Sequence, residues 1–104
     1  MGVISIRPLG EARQIVESIG HEITYFYDDL VFADNNMYIL RFNDEKQNQL
    51  FLHFNKDCEE AVASKVEIAL REAAKSVKFQ IFKAEDYSID QKEGSEELQI
   101  SFGN

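Results

Sequence analysis

The segment from residue 22 to residue 54 constrains the fold more than any other part of the chain. It is rich in β-branched and aromatic residues, which favour strands, and it is interrupted by residues that tolerate turn geometry. The interruptions are Asp28-Asp29, Asp34-Asn35-Asn36 and residues 43–48. The pattern predicts four strands in a meander, at about 22–27, 30–33, 37–43 and 49–54, although Asp28-Asp29 also fits a bulge in one long strand.

Helical periodicity flanks this segment on both sides. Before it, apolar residues recur at steps of three and four and Gly20 follows them, which predicts a helix over 9–19. After it, Asp57 and Glu60 have the spacing of a capping box, which predicts a second helix near 57–75. The expected inward stripe of that helix is Val62, Val66, Ala69 and Ala73, flanked by Cys58, Ala61 and Leu70.

Three further segments have the composition of strands. Val3, Ile4 and Ile6 precede Pro8 and predict a short first strand, while alternating apolar residues follow the second helix twice, first at Val77, Phe79 and Ile81 and then at Leu98, Ile100 and Phe102. Each of the last two is expected to join the sheet. Between them, an acidic segment at about 84–97 is expected to form a loop or a hairpin with an irregular turn, anchored by Tyr87 and Ile89.

Together these elements predict a single α+β domain over residues 1–104. A chain of 104 residues is the usual size of one domain and is long enough to bury a core. The expected architecture is a mostly antiparallel sheet of about five to seven strands with two helices, in the order (β)-α-β-β-β-β-α-β-β.

The charge and the single cysteine restrict the expected partners and compartment. A formal charge of -8 disfavours binding to the phosphate backbone of nucleic acids, and no apolar stretch approaches the length of a membrane span. Cys58 is the only cysteine, so no intrachain disulfide can form, and the N-terminus has no pattern of a secretory signal. We therefore expect a cytoplasmic protein that contacts neither nucleic acid nor membrane.

No pattern of residues predicts a catalytic or cofactor site. Cys58 in the first turn of the second helix, with His53 upstream, is a candidate nucleophile and base, but the favoured interpretation is a small apolar contact and an exposed histidine. Asp34-Asn35-Asn36 lacks the alternating acids, glycine and final glutamate of a calcium loop, and the two histidines lack metal-ligand spacing. We expect no catalytic residue, cofactor or metal.

Two strands are apolar on both faces, which raises the question of what covers the sheet opposite the helices. Residues 25–27 and 50–52 are runs of aromatic or aliphatic side chains, whereas a sheet with one wet face alternates. Either the terminal strands or the long loop cover this second face, or a second copy or another protein does. The candidate interaction surface consists of Tyr25, Tyr27, Tyr38, Phe51 and His53.

These observations favour a small protein-interaction domain of the adaptor, chaperone-like or inhibitor type, with no catalytic activity. Its expected partner is a second copy, forming a homodimer, or another protein, and the acidic C-terminal segment would suit a basic partner. The alternative is a small-molecule-binding or catalytic domain with a pocket between helix and sheet lined by Tyr25, Tyr27, Tyr38 or His53. Nucleic-acid binding ranks last because of the charge.

Overall fold

The structure, a computed structural model, describes residues 7–91, 94 and 98–103. Those residues form two helices and seven strands, and the α+β class and the element order are confirmed. The predicted strand at Val3, Ile4 and Ile6 lies outside the described residues. The elements are α1 Leu9–Ser18, β1 Ile23–Tyr27, β2 Leu30–Ala33, β3 Tyr38–Phe42, β4 Gln49–Phe54, α2 Glu60–Ser76, β5 Gln80–Lys83, β6 Tyr87–Gln91 and β7 Leu98–Phe102.

The first two turns of the meander lie where short polar side chains accept a left-handed backbone. Asp28 has a φ of 53°, and Tyr27 pairs with Leu30 across it, so Asp28-Asp29 is a two-residue turn. A bulge is present, but it lies earlier, between Ile23 and Tyr25. Residues 34–36 have φ values of 49°, 56° and 66°, a conformation that Asp and Asn adopt more readily than most residues.

The main sheet has the strand order β1-β2-β3-β4-β5, and only its last pairing is parallel. Helix α2 provides the crossover that a parallel pairing of β4 with β5 requires. Strand β5 begins at Gln80 rather than Val77, because the Val77 amide still donates to a carbonyl of α2 and Lys78 turns the chain with a φ of 61°. Val77 and Phe79 nevertheless pack against the core.

Helix α2 begins at Glu60, and the predicted capping box is wrong. Its N-cap is Glu59, which makes no side-chain capping hydrogen bond. The amide of Asp57 instead donates to the Asn55 side-chain oxygen, and the amide of Cys58 donates to the Asn55 carbonyl. This turn competes with the helix for the same backbone groups and delays the helix by three residues.

One face of the main sheet, the helix face, packs against both helices. Alternate residues of the strands meet Ala12, Ile15 and Val16 of α1 and Val66, Leu70 and Ala74 of α2. The predicted stripe of α2 is therefore rotated, and Val62 is exposed, because burying the larger Leu70 removes more apolar area from water.

The opposite face, the hairpin face, is partly covered by β6 and β7. These strands pair antiparallel with each other and form a separate two-stranded sheet, so β7 does not join the main sheet. Of the two alternatives for the acidic segment, the hairpin is found, since Tyr87–Gln91 is a strand. Tyr87, Ile89 and Ile100 pack with buried side chains of β2 and β3.

Candidate protein-interaction surface

The side chains of the hairpin face lie in two neighbouring rows that run across the strands. Backbone pairing places the members of each row side by side. The row that we call the covered row consists of Tyr25, Phe32, Ile39 and His53. The row that we call the open row spans all five strands and consists of Tyr27, Leu30, Arg41, Phe51 and Phe82.

The hairpin packs on the covered row. The Tyr87 ring meets Phe32 edge to face with 6.2 Å between ring centroids, and the Phe102 ring lies 4.6 Å from the His53 ring. Tyr87 is fully buried, and its hydroxyl donates to the carbonyl of Asn36. Burial raises the pKa of Tyr87 to about 12, so this hydroxyl remains a donor near neutral pH. Phe32, Ile39 and His53 are buried as a result.

Most of the open row lies beyond the hairpin, and aromatic side chains are exposed at both of its ends, but Leu30 is buried and packs with the hairpin. Tyr27 on β1 is 60% exposed and Phe82 on β5 is 41% exposed. Phe51 is half-buried, and its ring centroid lies 6.3 Å from that of Phe82. The row therefore presents apolar rings on a strand framework whose backbone is already ordered by pairing.

Arg41 occupies the middle of the open row. Its guanidinium carbon lies 4.5 Å from the centroid of the Phe51 ring, and its Nε donates to Nε2 of His53 at 3.1 Å. Among the described residues, the two terminal nitrogens of Arg41 make no hydrogen bond or ion pair. These donors are available to a carboxylate from outside the chain.

His53 holds Arg41 in place only while its imidazole is neutral. Nδ1 lies 2.7 Å from the carbonyl oxygen of Glu85 and therefore carries the proton, which leaves Nε2 to accept from Arg41. Burial lowers the pKa of His53, and the positive charge of Arg41 acts in the same direction, while the Glu85 carbonyl and the charges of Glu85 and Asp29 oppose them.

We expect the free energy of unfolding to decrease as the pH falls below the ordinary histidine value of 6.5. Between that pH and the lower folded pKa of His53, the unfolded chain binds a proton that the folded chain does not, so folding is disfavoured there. The contribution of His53 reaches at most about 1.4 kcal/mol per pH unit. Urea denaturation of the wild type and of His53→Gln, from about pH 7.5 to about pH 5, measures this contribution, and the free energy of unfolding should depend less on pH in the variant. His21→Gln serves as the control, and an unchanged slope in His53→Gln would contradict the assignment.

The structure separates the residues of the predicted surface. Tyr25, Tyr27 and Phe51 lie on the hairpin face, and the first two are 59% and 60% exposed. Tyr38 is fully buried in the helix-face core, and His53 is buried under the hairpin, so neither contributes to an exposed surface. The four residues expected to line a pocket between helix and sheet are therefore divided between two faces.

Sequence reasoning missed Arg41 and Phe82. Arg41 is the charged residue within an otherwise apolar β3, which is a signal that the sequence does contain. Phe82 follows a buried position by one residue, but its place in the row depends on the parallel register with Phe51. That register cannot be read from the segment itself.

Cys58 and His53 do not form a nucleophile and base. Cys58 packs against the helix-face core, whereas the His53 side chain is on the opposite face of the sheet. Burial raises the pKa of the Cys58 thiol, and the charges of Glu59 and Asp86 raise it further, which opposes formation of the thiolate. Helix α2 starts at Glu60, two residues after Cys58.

The described part of the chain contains no group of three or more His, Cys, Asp or Glu side chains arranged to hold a metal ion. Within the same residues, neither helix has the length and hydropathy needed to cross a membrane.

Comparisons with protein-family models, with curated proteins and with solved structures found no match to this chain.

Proposed function

We propose that this chain is a small non-enzymatic protein-interaction domain that binds a partner protein through the open row. The observation that carries the proposal is that the hairpin covers Phe32, Ile39 and His53, whereas four of the five residues in the adjacent row remain exposed or half-buried. The exception is Leu30, which is buried and packs with the hairpin. The exposed ends of that row are Tyr27 and Phe82, which are large aromatic residues. The lone cysteine favours a cytoplasmic setting for this activity.

The composition of the open row is typical of an interface centre. Aromatic residues and arginine are enriched among the residues that contribute most to binding, and they cluster in the middle of interfaces. The row contains three aromatic residues around Arg41. Its residues belong to paired strands, so binding costs little backbone entropy.

Charge favours a different protein over a second copy of this chain as the partner. If two copies pack their open rows around a two-fold axis through the middle of the row, Arg41 of each copy faces Arg41 of the other. That juxtaposition is unfavourable, whereas a different protein can place a carboxylate there. We therefore propose a partner that presents an Asp, a Glu or a terminal carboxylate to Arg41 among apolar side chains.

A photo-crosslinking experiment tests this proposal. We expect p-benzoyl-phenylalanine at position 82, in cells that naturally make the protein, to yield one discrete adduct with another protein. Arg41→Met should reduce the adduct about tenfold, because loss of a central arginine typically costs more than 1 kcal/mol of binding free energy. Immunoblotting and mass spectrometry of the adduct measure both results.

The matched control places the same reactive group at position 68, an isolated apolar residue of α2 that is 65% exposed. Equal adducts from positions 68 and 82, or an adduct unaffected by Arg41→Met, would overturn the proposal. An adduct of twice the mass of the chain would show a second copy at this surface, which would contradict the choice of partner.

A further inference from the structure

Strand β1 forms one edge of the main sheet and carries none of the charged or proline residues that usually protect edges. The opposite edge, β5, has Lys83 within it and Lys78 just before it. Strand β1 instead exposes three consecutive aromatic side chains, Tyr25, Phe26 and Tyr27. Among the described residues, no strand pairs with its outer side.

The register of the β1-β2 hairpin determines which backbone groups point outward. Because the turn has two residues, Tyr27 and Leu30 exchange backbone hydrogen bonds with each other. In an antiparallel ladder these pairs alternate, so the N–H and C=O groups of Phe26 point away from β2. Phe26 thus offers one donor and one acceptor to an added strand.

Acidic residues lie at both ends of this edge. Glu22 precedes β1, and the backbone amide of Asp34 donates a hydrogen bond to the carbonyl of Glu22, so Asp34 lies at the same end. Asp28 and Asp29 follow β1 in the turn. A terminal nitrogen of Arg7 lies 3.4 Å from a carboxylate oxygen of Asp28, but two other contacts of the Arg7 guanidinium, from Nε and its second terminal nitrogen, go to Asp44. The ends of the edge therefore carry net negative charge.

We propose that β1 accepts an extended segment of a partner protein as a sixth strand, and that this segment has Lys or Arg at its ends and apolar residues between them. The proposal rests on the proposed function and specifies how the partner binds. Basic ends complement Glu22 at one end and Asp28 at the other. Side chains of the added strand that face the hairpin side continue the open row beyond Tyr27.

A second copy of β1 fits this edge less well than a basic segment. An antiparallel pair of β1 strands brings the acidic end of each copy beside the acidic end of the other. Glu22 lies opposite Asp28 when the pair is centred on Tyr25, and Asp28 lies opposite Thr24, two residues from Glu22, when the pair is centred on Phe26. Like charges opposite or close to each other destabilise a strand pair.

Fluorescence anisotropy with a labelled synthetic peptide tests the inference. The probe has Lys-Lys at each end and five alternating valines and threonines between them. We expect saturable binding to the full chain, and about tenfold weaker binding of a matched peptide with Glu-Glu ends at low salt. Phe26→Pro should also weaken binding at least about tenfold, because proline removes the outward N–H of the edge.

Phe26→Ala is the matched variant, since it loses the ring but keeps the N–H, and it should weaken binding by no more than about threefold. A thermal melt of each variant checks that it folds. Absence of saturable binding, equal binding of the two peptides, or equal affinities of Phe26→Pro and Phe26→Ala would each overturn the inference. A dimeric mass in light scattering that reverts to a monomer in Phe26→Pro would assign the edge to a second copy instead.

The binding of a partner at the open row and the addition of a strand at β1 can each be contradicted independently of the other. Position 82 lies on β5, at the other edge of the sheet from β1. Loss of peptide binding with an intact Arg41-dependent cross-link from position 82 would overturn only the strand-addition inference. Peptide binding without that cross-link would overturn only the assignment of the open row.

Discussion

Tyr87→Ala is expected to lower the free energy of unfolding by about 3–5 kcal/mol, the range found when a buried aromatic side chain is truncated. Tyr87 joins the two sheets, because its ring packs edge to face on Phe32 and lies 6.4 Å from the ring of Phe102. Its hydroxyl donates to the carbonyl of Asn36, which would keep only the hydrogen bond from the Asn55 side chain. Urea denaturation followed by circular dichroism measures the change.

Tyr27→Ala is the matched control for this prediction. Tyr27 has the same side chain but is 60% exposed, so we expect its truncation to cost about 1 kcal/mol or less. Tyr87→Phe separates the hydroxyl from the ring and should cost about 0.5–1.5 kcal/mol, because the Asn36 carbonyl keeps its hydrogen bond from the Asn55 side chain. If Tyr87→Ala and Tyr27→Ala cost the same, the hairpin does not contribute to the core as described.

Leu70→Ala should lower the free energy of unfolding by about 2–5 kcal/mol. Leu70 is fully buried and lies one helical turn from Val66 and Ala74, the other buried residues of α2. Truncation removes apolar contacts where the helix meets the sheet, and the rigid strands below limit how far the site can collapse. The shift of the urea midpoint at constant m-value measures the loss.

Ile68→Ala provides a control on the same helix with a side chain of similar size. Ile68 is 65% exposed, so we expect a change within about 0.5 kcal/mol. A larger effect of Ile68→Ala than of Leu70→Ala would contradict the burial of Leu70 and the exposure of Ile68.

The sequence was sufficient to predict most elements of the fold. The meander was predicted correctly because its first two turns consist of Asp and Asn, whose short side chains tolerate a left-handed backbone, and its third connection is a run of polar residues. Helix α1 ends one residue from its predicted end for a similar local reason, since Gly20 has a φ of 83°. These are short-range effects, and the residues that cause them are adjacent in the chain.

The start of α2 was predicted wrongly although the signal was also local. Asp57 and Glu60 satisfy a capping-box pattern, but the Asn55 side chain accepts the amide of Asp57 in a competing turn. Two local motifs compete for the same backbone amides here, and the structure contains the Asn55 turn. The contacts of α2 with the sheet bury Leu70 and leave Val62 exposed.

The sequence by itself determined that this chain is an α+β fold, and that it has more apolar strand surface than two helices can cover. Only the tertiary structure decided which part of that surface remains open. Alternation along a strand divides its side chains between two faces, but it does not say which face meets the helices. The packing of the helices decides that Tyr38 and Leu40 are in the core. Strand register decides which rows Arg41 and Phe82 join. The position of the hairpin then decides that His53 is buried and Tyr27 exposed. Register and docking depend on contacts between residues far apart in sequence, and no local pattern contains them.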